Sequence, residues 1–154
     1  NRTGNIDPGV LLYLQRHYNM DADALENLLY KESGWFGVSG GISGDMLELH
    51  QADHPHAEEA IEMFAYRCAL EIGRLTAALG GLDQIVFTGG VGENDSDVRR
   101  RIMQRCSWLN LDFDDDANVE NALQISKAGS KVTVNVVPTD EEAMIATHIL
   151  ECLE

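Results

Sequence analysis

With 154 residues, 44% of them apolar and only three of them proline, the chain is long enough for one globular domain with a sizeable core. Its 11 Lys and Arg stand against 26 Asp and Glu, and the resulting formal charge of -15 repels nucleic-acid phosphates and anionic lipid. This charge excludes nucleic acid and membrane surfaces as expected partners. It does not exclude a nucleotide held by backbone amides and a metal ion.

Cysteine usage and the start of the chain bear on its compartment. The three cysteines are odd in number and widely spaced, which favours neither a disulfide framework nor a zinc site. No apolar run approaches the roughly 20 residues of a membrane span, and the polar start Asn1-Arg2-Thr3-Gly4 is unlike a signal peptide. We therefore expect a cytoplasmic protein. The start lacks a methionine and runs directly into a motif-like segment, which indicates a fragment of a longer protein.

Two helices and a loop are predicted at the beginning of the chain. Asp7 and Pro8 supply a cap and a first turn before regularly spaced apolar residues, which predicts a helix from Pro8 to Tyr18. A second short helix is expected from Ala22 to Lys31. The stretch from Gly34 to Gly44 holds five glycines, which is typical of a loop.

The middle of the chain predicts the order helix, strand, glycine loop, helix. Apolar residues recur with a 3.6-residue period from Ala57 to Leu79, which is the longest predicted helix, and Gln84 to Thr88 predicts a short buried strand. After the glycine loop, Asp95 or Ser96 caps another helix. The apolar residues of this helix are predicted to face inward; they are Val98, Ile102, Met103 and Cys106. Its basic residues, Arg99, Arg100 and Arg101, are predicted to be mostly solvated.

The last third of the chain adds a further strand and a final helix. The acidic stretch from Asp112 to Asn121 predicts a surface loop, and Ala122 to Ser126 predicts a short strand. Lys131 to Val137 is a clearer strand, and a final helix is expected from Thr139 to Leu150. Residues 1–154 are therefore predicted to form one α/β domain in which at least two strands precede helices.

The candidate ligand-binding loop is Gly89-Gly90-Val91-Gly92-Glu93-Asn94, which follows a predicted strand and precedes a predicted helix. Glycines let a backbone approach a ligand closely, and amides at a helix start face an anion, so the position suits a nucleotide. It does not match the dinucleotide fingerprint, because Asp95 stands where the third glycine is required. The alternative is a tight strand-to-helix turn without a ligand.

A second polar cluster, Thr139-Asp140-Glu141-Glu142, follows the last predicted strand. Its spacing is that of a capping box, in which Thr139 caps the helix and Glu142 reaches back to the Thr139 amide. Asp140 and Glu141 then remain at a strand end, where ligands gather in open α/β sheets, so one of them is a candidate ligand of Mg²⁺. The alternative is that both only compensate the helix dipole.

Two further residues have both a functional and a structural interpretation. Asp45 follows a glycine loop and either accepts a hydrogen bond from a ribose hydroxyl or caps a short helix. Arg2 is either a phosphate-binding fork or an ordinary exposed charge near the start of the chain. Spacing alone does not decide between these alternatives.

Four motifs occur together and in a fixed order. They are Arg2-Thr3-Gly4-Asn5-Ile6-Asp7-Pro8-Gly9, Gly37-Val38-Ser39-Gly40 with Ser43-Gly44-Asp45-Met46, Phe87-Thr88-Gly89-Gly90-Val91-Gly92-Glu93-Asn94, and Pro138-Thr139-Asp140-Glu141-Glu142. In this combination the chain resembles the C-terminal part of the acetate kinase family. The resemblance extends over essentially the whole chain, and the upstream part of a family chain is absent from this sequence.

The resemblance implies a fold, a reaction and partners. The fold is an α/β actin-like ATPase domain, of the sugar kinase, Hsp70 and actin superfamily and ribonuclease H-like, with a mixed sheet flanked by helices. The reaction is reversible transfer of the γ-phosphoryl group of ATP to acetate or propionate, giving ADP and an acyl phosphate, with Mg²⁺ or alternatively Mn²⁺. A homodimer is also implied, and this chain would supply the nucleotide and Mg²⁺ side of the enzyme.

The resemblance also implies roles for individual residues. Arg2 matches an arginine that stabilises the transition state, which suits the charge on a transferring phosphoryl group. Glu141 matches a carboxylate that supports Mg²⁺. Nucleotide contacts are implied for Asp45, Met46 and Leu47 at the nucleoside, and for Gly89, Gly90, Val91, Gly92, Glu93 and Asn94 along the adenosine and phosphates. Because the upstream part supplies further catalytic residues, the chain alone is expected to be inactive. A non-catalytic nucleotide-binding or dimerisation module is the alternative.

Overall fold

The computed structural model describes residues 2–152, with the backbone but not the side chain of Glu141. The chain divides into two compact units, Asn1–Arg67 and Cys68–Glu154. A single domain over residues 1–154 stays a prediction, because a compact unit is not by itself an independently folding domain. Among the described residues, no helix combines the length and the apolar character that crossing a membrane requires.

The first unit is helical. Its elements are α1 (Pro8–Tyr18), α2 (Ala22–Lys31), α3 (Gly34–Val38), α4 (Met46–Gln51) and the first part of α5 (Pro55–Leu79). The bounds predicted for α1 and α2 are confirmed, because Asp7 and Asp21 cap the two helices with their side chains. The buried apolar residues of this unit lie mainly on α4 and α5; they are Leu25, Met46, Leu49, Ala57, Ala60, Ile61 and Ala65.

The loop predicted from Gly34 to Gly44 begins with a short helix instead. Helix α3 starts at Gly34, whose φ of 61° lies in the left-handed region that glycine adopts without strain. Trp35 on α3 packs edge to face against Phe64 on α5, with ring centroids 5.0 Å apart. Tertiary packing of this ring stabilises a helical turn that the glycine content alone disfavours.

The second unit combines strands and helices. After the end of α5 its elements are β1 (Gln84–Phe87), α6 (Gly89–Asn94), α7 (Ser96–Arg105), a 3-10 turn (Ser107–Leu109), α8 (Asp115–Val119), β2 (Thr133–Val136) and α9 (Glu141–Glu151). The two clearer predicted strands are thus confirmed, and each precedes a helix. They pair in parallel, with Gln84 opposite Thr133 and Phe87 opposite Val136, so both strands end at the same edge of the sheet.

One face of the sheet and one face of α7 supply the core of this unit. Ile85 and Phe87 alternate with exposed neighbours along β1, and Val134 and Val136 alternate with half-buried neighbours along β2. Helix α7 is capped by Asp95 as predicted and buries the apolar stripe predicted for it: Val98, Ile102 and Met103, followed by Cys106.

Two segments of this unit differ from their predictions. The acidic stretch predicted as a loop contains α8, because Asp114 caps that helix by accepting from the Ala117 amide. The stretch from Ala122 to Ser126 is not a strand. It forms only isolated antiparallel bridges, one of which joins Gln124 to Asn135 of β2.

Candidate functional site

The ends of the two parallel strands border a cavity in the second unit. The cavity has a volume of about 430 Å³, and its lining residues come from both strand ends: Gly89, Gly90, Glu93, Thr139, Asp140 and Glu142. Hydrogen bonds between the two segments continue to the edge of the cavity. The Val137 amide donates to the Phe87 carbonyl at 2.9 Å, and the Thr88 hydroxyl donates to the Val137 carbonyl at 2.8 Å. The two polar motifs singled out after strands therefore meet at one site, where open α/β sheets bind ligands.

The segment predicted as a glycine loop is a short helix of six residues, α6, which we call the glycine turn. Gly89 has a φ of +71°, which glycine adopts without strain. A Cβ at Gly92 would lie 3.3 Å from the carbonyl carbon of Phe87, so this position is packed closely on β1. A Cβ at Gly90 would meet nothing within 4 Å. The Asn94 side-chain amide closes the turn by donating to the Gly90 carbonyl at 2.9 Å.

These differences predict opposite outcomes for two neighbouring alanine substitutions. Gly89→Ala is expected to lower the free energy of unfolding by about 1 to 2 kcal/mol, because an L-residue is strained at this positive φ. Gly90→Ala is expected to leave it unchanged or raise it by up to about 1 kcal/mol, because alanine is the better helix former. Urea denaturation of both variants measures the difference, and equal destabilisation would contradict the geometry of the turn.

Glu93 links the glycine turn to the segment after β2. Its Oε1 accepts from the Gly89 amide at 2.7 Å and from the amide and the hydroxyl of Thr139, both at 3.0 Å. The Thr88 hydroxyl lies 3.5 Å from the same oxygen. The Thr139 amide, followed by the Thr139 hydroxyl, is the main reason that the pKa of the Glu93 carboxyl is lowered from its usual value. A direct contact between Glu93 and a nucleotide stays a prediction.

The capping box predicted at Thr139 is wrong. Asp140 caps α9, because its Oδ1 accepts from the Ala143 amide at 2.8 Å. The Thr139 amide, which a capping box would give to Glu142, donates to Glu93 instead. The side chain of Glu141, the predicted Mg²⁺ ligand, lies outside the described residues, so its role stays a prediction.

Arg99 supports the glycine turn and is wrongly predicted to be solvated, since it is fully buried. Its Nη1 donates to the carbonyls of Gly92 and Glu93, at 2.8 and 2.9 Å, and so holds the end of α6. Its Nε and Nη2 donate to the side chain and the carbonyl of Asn118, both at 2.8 Å, and Nη2 also donates to Asn121. Burial lowers the pKa of the guanidinium, whose charge is spread over these five hydrogen bonds.

A signal for this burial is present in the sequence. Arg99 lies three residues before Ile102 and four before Met103, which places it on the inward face of α7. Arg100, one residue further along the helix, is only half-buried and pairs with Asp97. Residue type predicts that both arginines are solvated, whereas helical spacing predicts that Arg99 is buried and Arg100 is not.

Arg2 lies in the first unit and borders a different cavity. This cavity has a volume of about 660 Å³, and Arg67, Trp35 and Phe64 also line it. The guanidinium carbon of Arg2 lies 5.5 Å from the centre of the Tyr30 ring, a cation-π contact that orients an otherwise exposed side chain. A role at the transition state stays a prediction for Arg2.

The structure shows the capping alternative for Asp45. Its Oδ1 accepts from the amides of Leu47 at 2.9 Å and Glu48 at 3.1 Å, and so caps α4. Met46 is buried, whereas Leu47 is 67% exposed. The predicted nucleoside pocket therefore stays a prediction for all three residues, of which Asp45 and Leu47 are exposed.

The cavity in the second unit has donor atoms that suit a hard cation. Its acidic lining residues, Glu93, Asp140 and Glu142, offer only oxygen donors, and enzymes hold Mg²⁺ by one or two carboxylates together with phosphate oxygens and water. Among the described residues there is no group of three or more side chains placed to hold a metal by themselves. The residues present fit an ion that is shared with the phosphates of a nucleotide.

Comparisons with known proteins identify the family. The profile of the Acetokinase family matches residues 1–147. An acetate kinase from Rhodopseudomonas palustris (strain TIE-1) is 53% identical over 150 residues, which is 96% of this chain and 37% of that protein. The crystal structure of an acetate kinase from Porphyromonas gingivalis matches with a TM-score of 0.88 and 41% identity, covering 99% of this chain and 40% of that one.

A second solved structure gives the same result. A propionate kinase from Francisella tularensis matches with a TM-score of 0.86 and 32% identity, covering 94% of this chain and 38% of that one. The chain thus spans less than half the length of the relatives it matches. These matches confirm the predicted α/β, actin-like ATPase fold. With a family profile that matches nearly all of its length, the chain belongs to the acetokinase family.

Proposed function

We propose that the full-length protein containing this chain transfers the γ-phosphoryl group of ATP to a short-chain carboxylate, acetate or propionate. This chain supplies the nucleotide and Mg²⁺ side of that enzyme. The observation that carries the proposal is the cavity at the ends of β1 and β2, where a glycine turn and three acidic residues converge in a member of the acetokinase family. The relatives are an acetate kinase and a propionate kinase, and their names supply the two candidate acceptors.

Each group has a task in the proposed reaction. A carboxylate oxygen of the acceptor attacks the γ-phosphorus, the bond from that phosphorus to the bridging oxygen breaks, and ADP and an acyl phosphate result. Gly89 and Gly90 let the α6 backbone come close to the nucleotide phosphates. Arg2 stabilises the charge on the transferring phosphoryl group. Mg²⁺, when bound, neutralises phosphate charge.

The proposal is tested by incubating the full-length protein with MgATP and either acceptor. The expected result is an acyl phosphate, trapped by hydroxylamine as a hydroxamate, in an amount equal to the ADP formed. The 154-residue chain alone is expected to bind MgADP without turnover. Nucleotide binding by the full-length protein without any acyl phosphate would favour the alternative, a non-catalytic nucleotide-binding or dimerisation module.

Glu141→Ala in the full-length protein is expected to raise the Mg²⁺ concentration needed for half-maximal rate by about tenfold or more, because Glu141 is the proposed metal carboxylate. Glu151→Ala is the matched control, since it removes an exposed carboxylate of the same helix that does not line the cavity. The rate is measured against MgCl2 at a fixed ATP concentration. If both variants share the metal dependence of the wild type, the assignment of Glu141 is lost.

We further propose that the protein is a homodimer. Helix α5 exposes a series of large apolar side chains along its length: Met63, Tyr66, Leu70, Leu75 and Leu79. Extended apolar surface of this kind is typical of protein interfaces rather than of free surfaces. Light scattering on the chain at tens of micromolar is expected to give twice its mass of 17.0 kDa. A mass of one chain at that concentration would contradict the proposal.

A further inference from the structure

Glu93 lies in the proposed nucleotide site but directs its carboxylate at the protein. We infer that Glu93 is a positioning residue, which joins the glycine turn after β1 to the Thr139 segment after β2 so that both walls of the cavity keep one geometry toward the nucleotide. The inference rests on the proposed function and deepens it. It gives Glu93 a task different from the direct nucleotide contact that the resemblance implies.

The first support is the convergence of donors from both segments on one oxygen. Gly89 donates to Oε1 from the glycine turn, and Thr139 donates to it twice from a position 46 residues further along the chain. Within the described residues, the hydrogen bonds that join α6 to residues 138–142 all end on Glu93. Removal of this oxygen therefore removes the bonds between α6 and the Thr139 segment, and leaves the two walls joined at the strand ends, where the Thr88 hydroxyl donates to the Val137 carbonyl.

The second support is that Glu93 is itself anchored to the core. Its backbone carbonyl accepts from Nη1 of the buried Arg99 at 2.9 Å, while its side chain holds Thr139. Arg99 is in turn held by Asn118, which is also fully buried. Because Glu93 is fixed at both its carbonyl and its carboxylate, it holds the Thr139 segment in a fixed position relative to the core.

The third support is electrostatic. A carboxylate that contacts a nucleotide phosphate directly would repel it, because both groups are anionic. The charge of Glu93 is instead directed at amide and hydroxyl donors, and hydrogen bonds to an ionised acceptor are stronger than bonds between neutral groups. The side chain is thus better suited to holding Thr139 next to the phosphates than to touching them.

Two pairs of variants of the full-length protein separate positioning from direct contact. Glu93→Ala removes the acceptor, whereas Glu93→Gln keeps an oxygen for the same donors. Thr139→Val removes one hydroxyl donor to Glu93, and Thr147→Val is its matched control, because the Thr147 hydroxyl donates only locally to the Ala143 carbonyl at 2.9 Å. Hydrogen–deuterium exchange of peptides over residues 88–94 and 137–143 measures the coupling, and calorimetry measures MgADP affinity.

Glu93→Ala is expected to speed exchange in both peptides and to weaken MgADP binding by about tenfold. Glu93→Gln should stay within about threefold of the wild type in affinity, and Thr139→Val should loosen both peptides more than Thr147→Val does. The inference is overturned if Glu93→Ala leaves residues 137–143 as protected as before. It is also overturned if Glu93→Gln weakens binding as much as Glu93→Ala, since the charge would then act on the ligand itself. Failure of the wild type to bind MgADP would reject the proposed function, while the exchange data would still decide the coupling.

Discussion

Replacement of Arg2 by alanine in the full-length protein is expected to lower kcat by about three orders of magnitude while the KM for ATP changes only a few-fold. An arginine directed at the transferring phosphoryl group meets its full charge only in the transition state, so its removal affects the rate far more than ground-state affinity. Arg2→Lys should resemble Arg2→Ala more than the wild type, because a point charge cannot replace a planar fork that spans two phosphoryl oxygens.

The structure supplies a matched control for this prediction. Arg67 lines the same cavity as Arg2 and is likewise an exposed arginine, so Arg67→Ala removes the same charge without the proposed catalytic role. Steady-state kinetics in the direction of acyl phosphate formation compare the variants. An unchanged kcat with only a raised KM for ATP would make Arg2 a ground-state binding residue. Equal losses in the two variants would mean that positive charge in the cavity, rather than Arg2, is what matters.

The parts of the fold that depend on local signals could be predicted from the sequence. Helix α1 is an example, because Asp7 caps its start, Pro8 fits its first turn, and Asn19 ends it in the left-handed conformation. The strands β1 and β2 could be predicted in the same way, as short apolar runs between glycines or polar residues. In each case the residues that decide the structure lie within one turn of the element itself.

The candidate site depends on contacts that no local pattern contains. The capping-box spacing at Thr139 is genuine, yet the Thr139 amide finds an acceptor in Glu93, 46 residues earlier, and Asp140 takes over the cap. Spacing of three residues allows a capping box but does not exclude a better tertiary partner. The two glycine-rich predictions failed for a related reason, since α3 and α6 are short helices that packing or side-chain hydrogen bonds stabilise.

Arg99 shows why residue type alone misleads about burial. A run of three arginines is usually solvated, but Asn118, 19 residues later, offers Arg99 both a side-chain and a backbone acceptor. With Gly92, Glu93 and Asn121 as further acceptors, the guanidinium is satisfied inside the second unit. The hydrogen-bond partners that permit this burial are distant in sequence. The local signal for it is the position of Arg99 on the inward face of α7.

Arg99→Met is accordingly expected to lower the free energy of unfolding by about 2 to 5 kcal/mol, because each buried acceptor left without a partner costs about 1 to 3 kcal/mol. Arg100→Met is the matched control on the same helix. It breaks only a partly exposed pair with Asp97, which is worth about 0.2 to 1 kcal/mol. Urea denaturation followed by circular dichroism measures both variants.

The position of the lost bonds adds a second, local consequence to the Arg99 prediction. Because Arg99 holds the carbonyls of Gly92 and Glu93, Arg99→Met is expected to loosen the glycine turn at denaturant concentrations that leave the rest of the second unit folded. Hydrogen–deuterium exchange of residues 88–94 should therefore rise in Arg99→Met and stay near the wild type in Arg100→Met. Equal unfolding midpoints and equal exchange in the two variants would show that Arg99 contributes no more than an arginine at the surface.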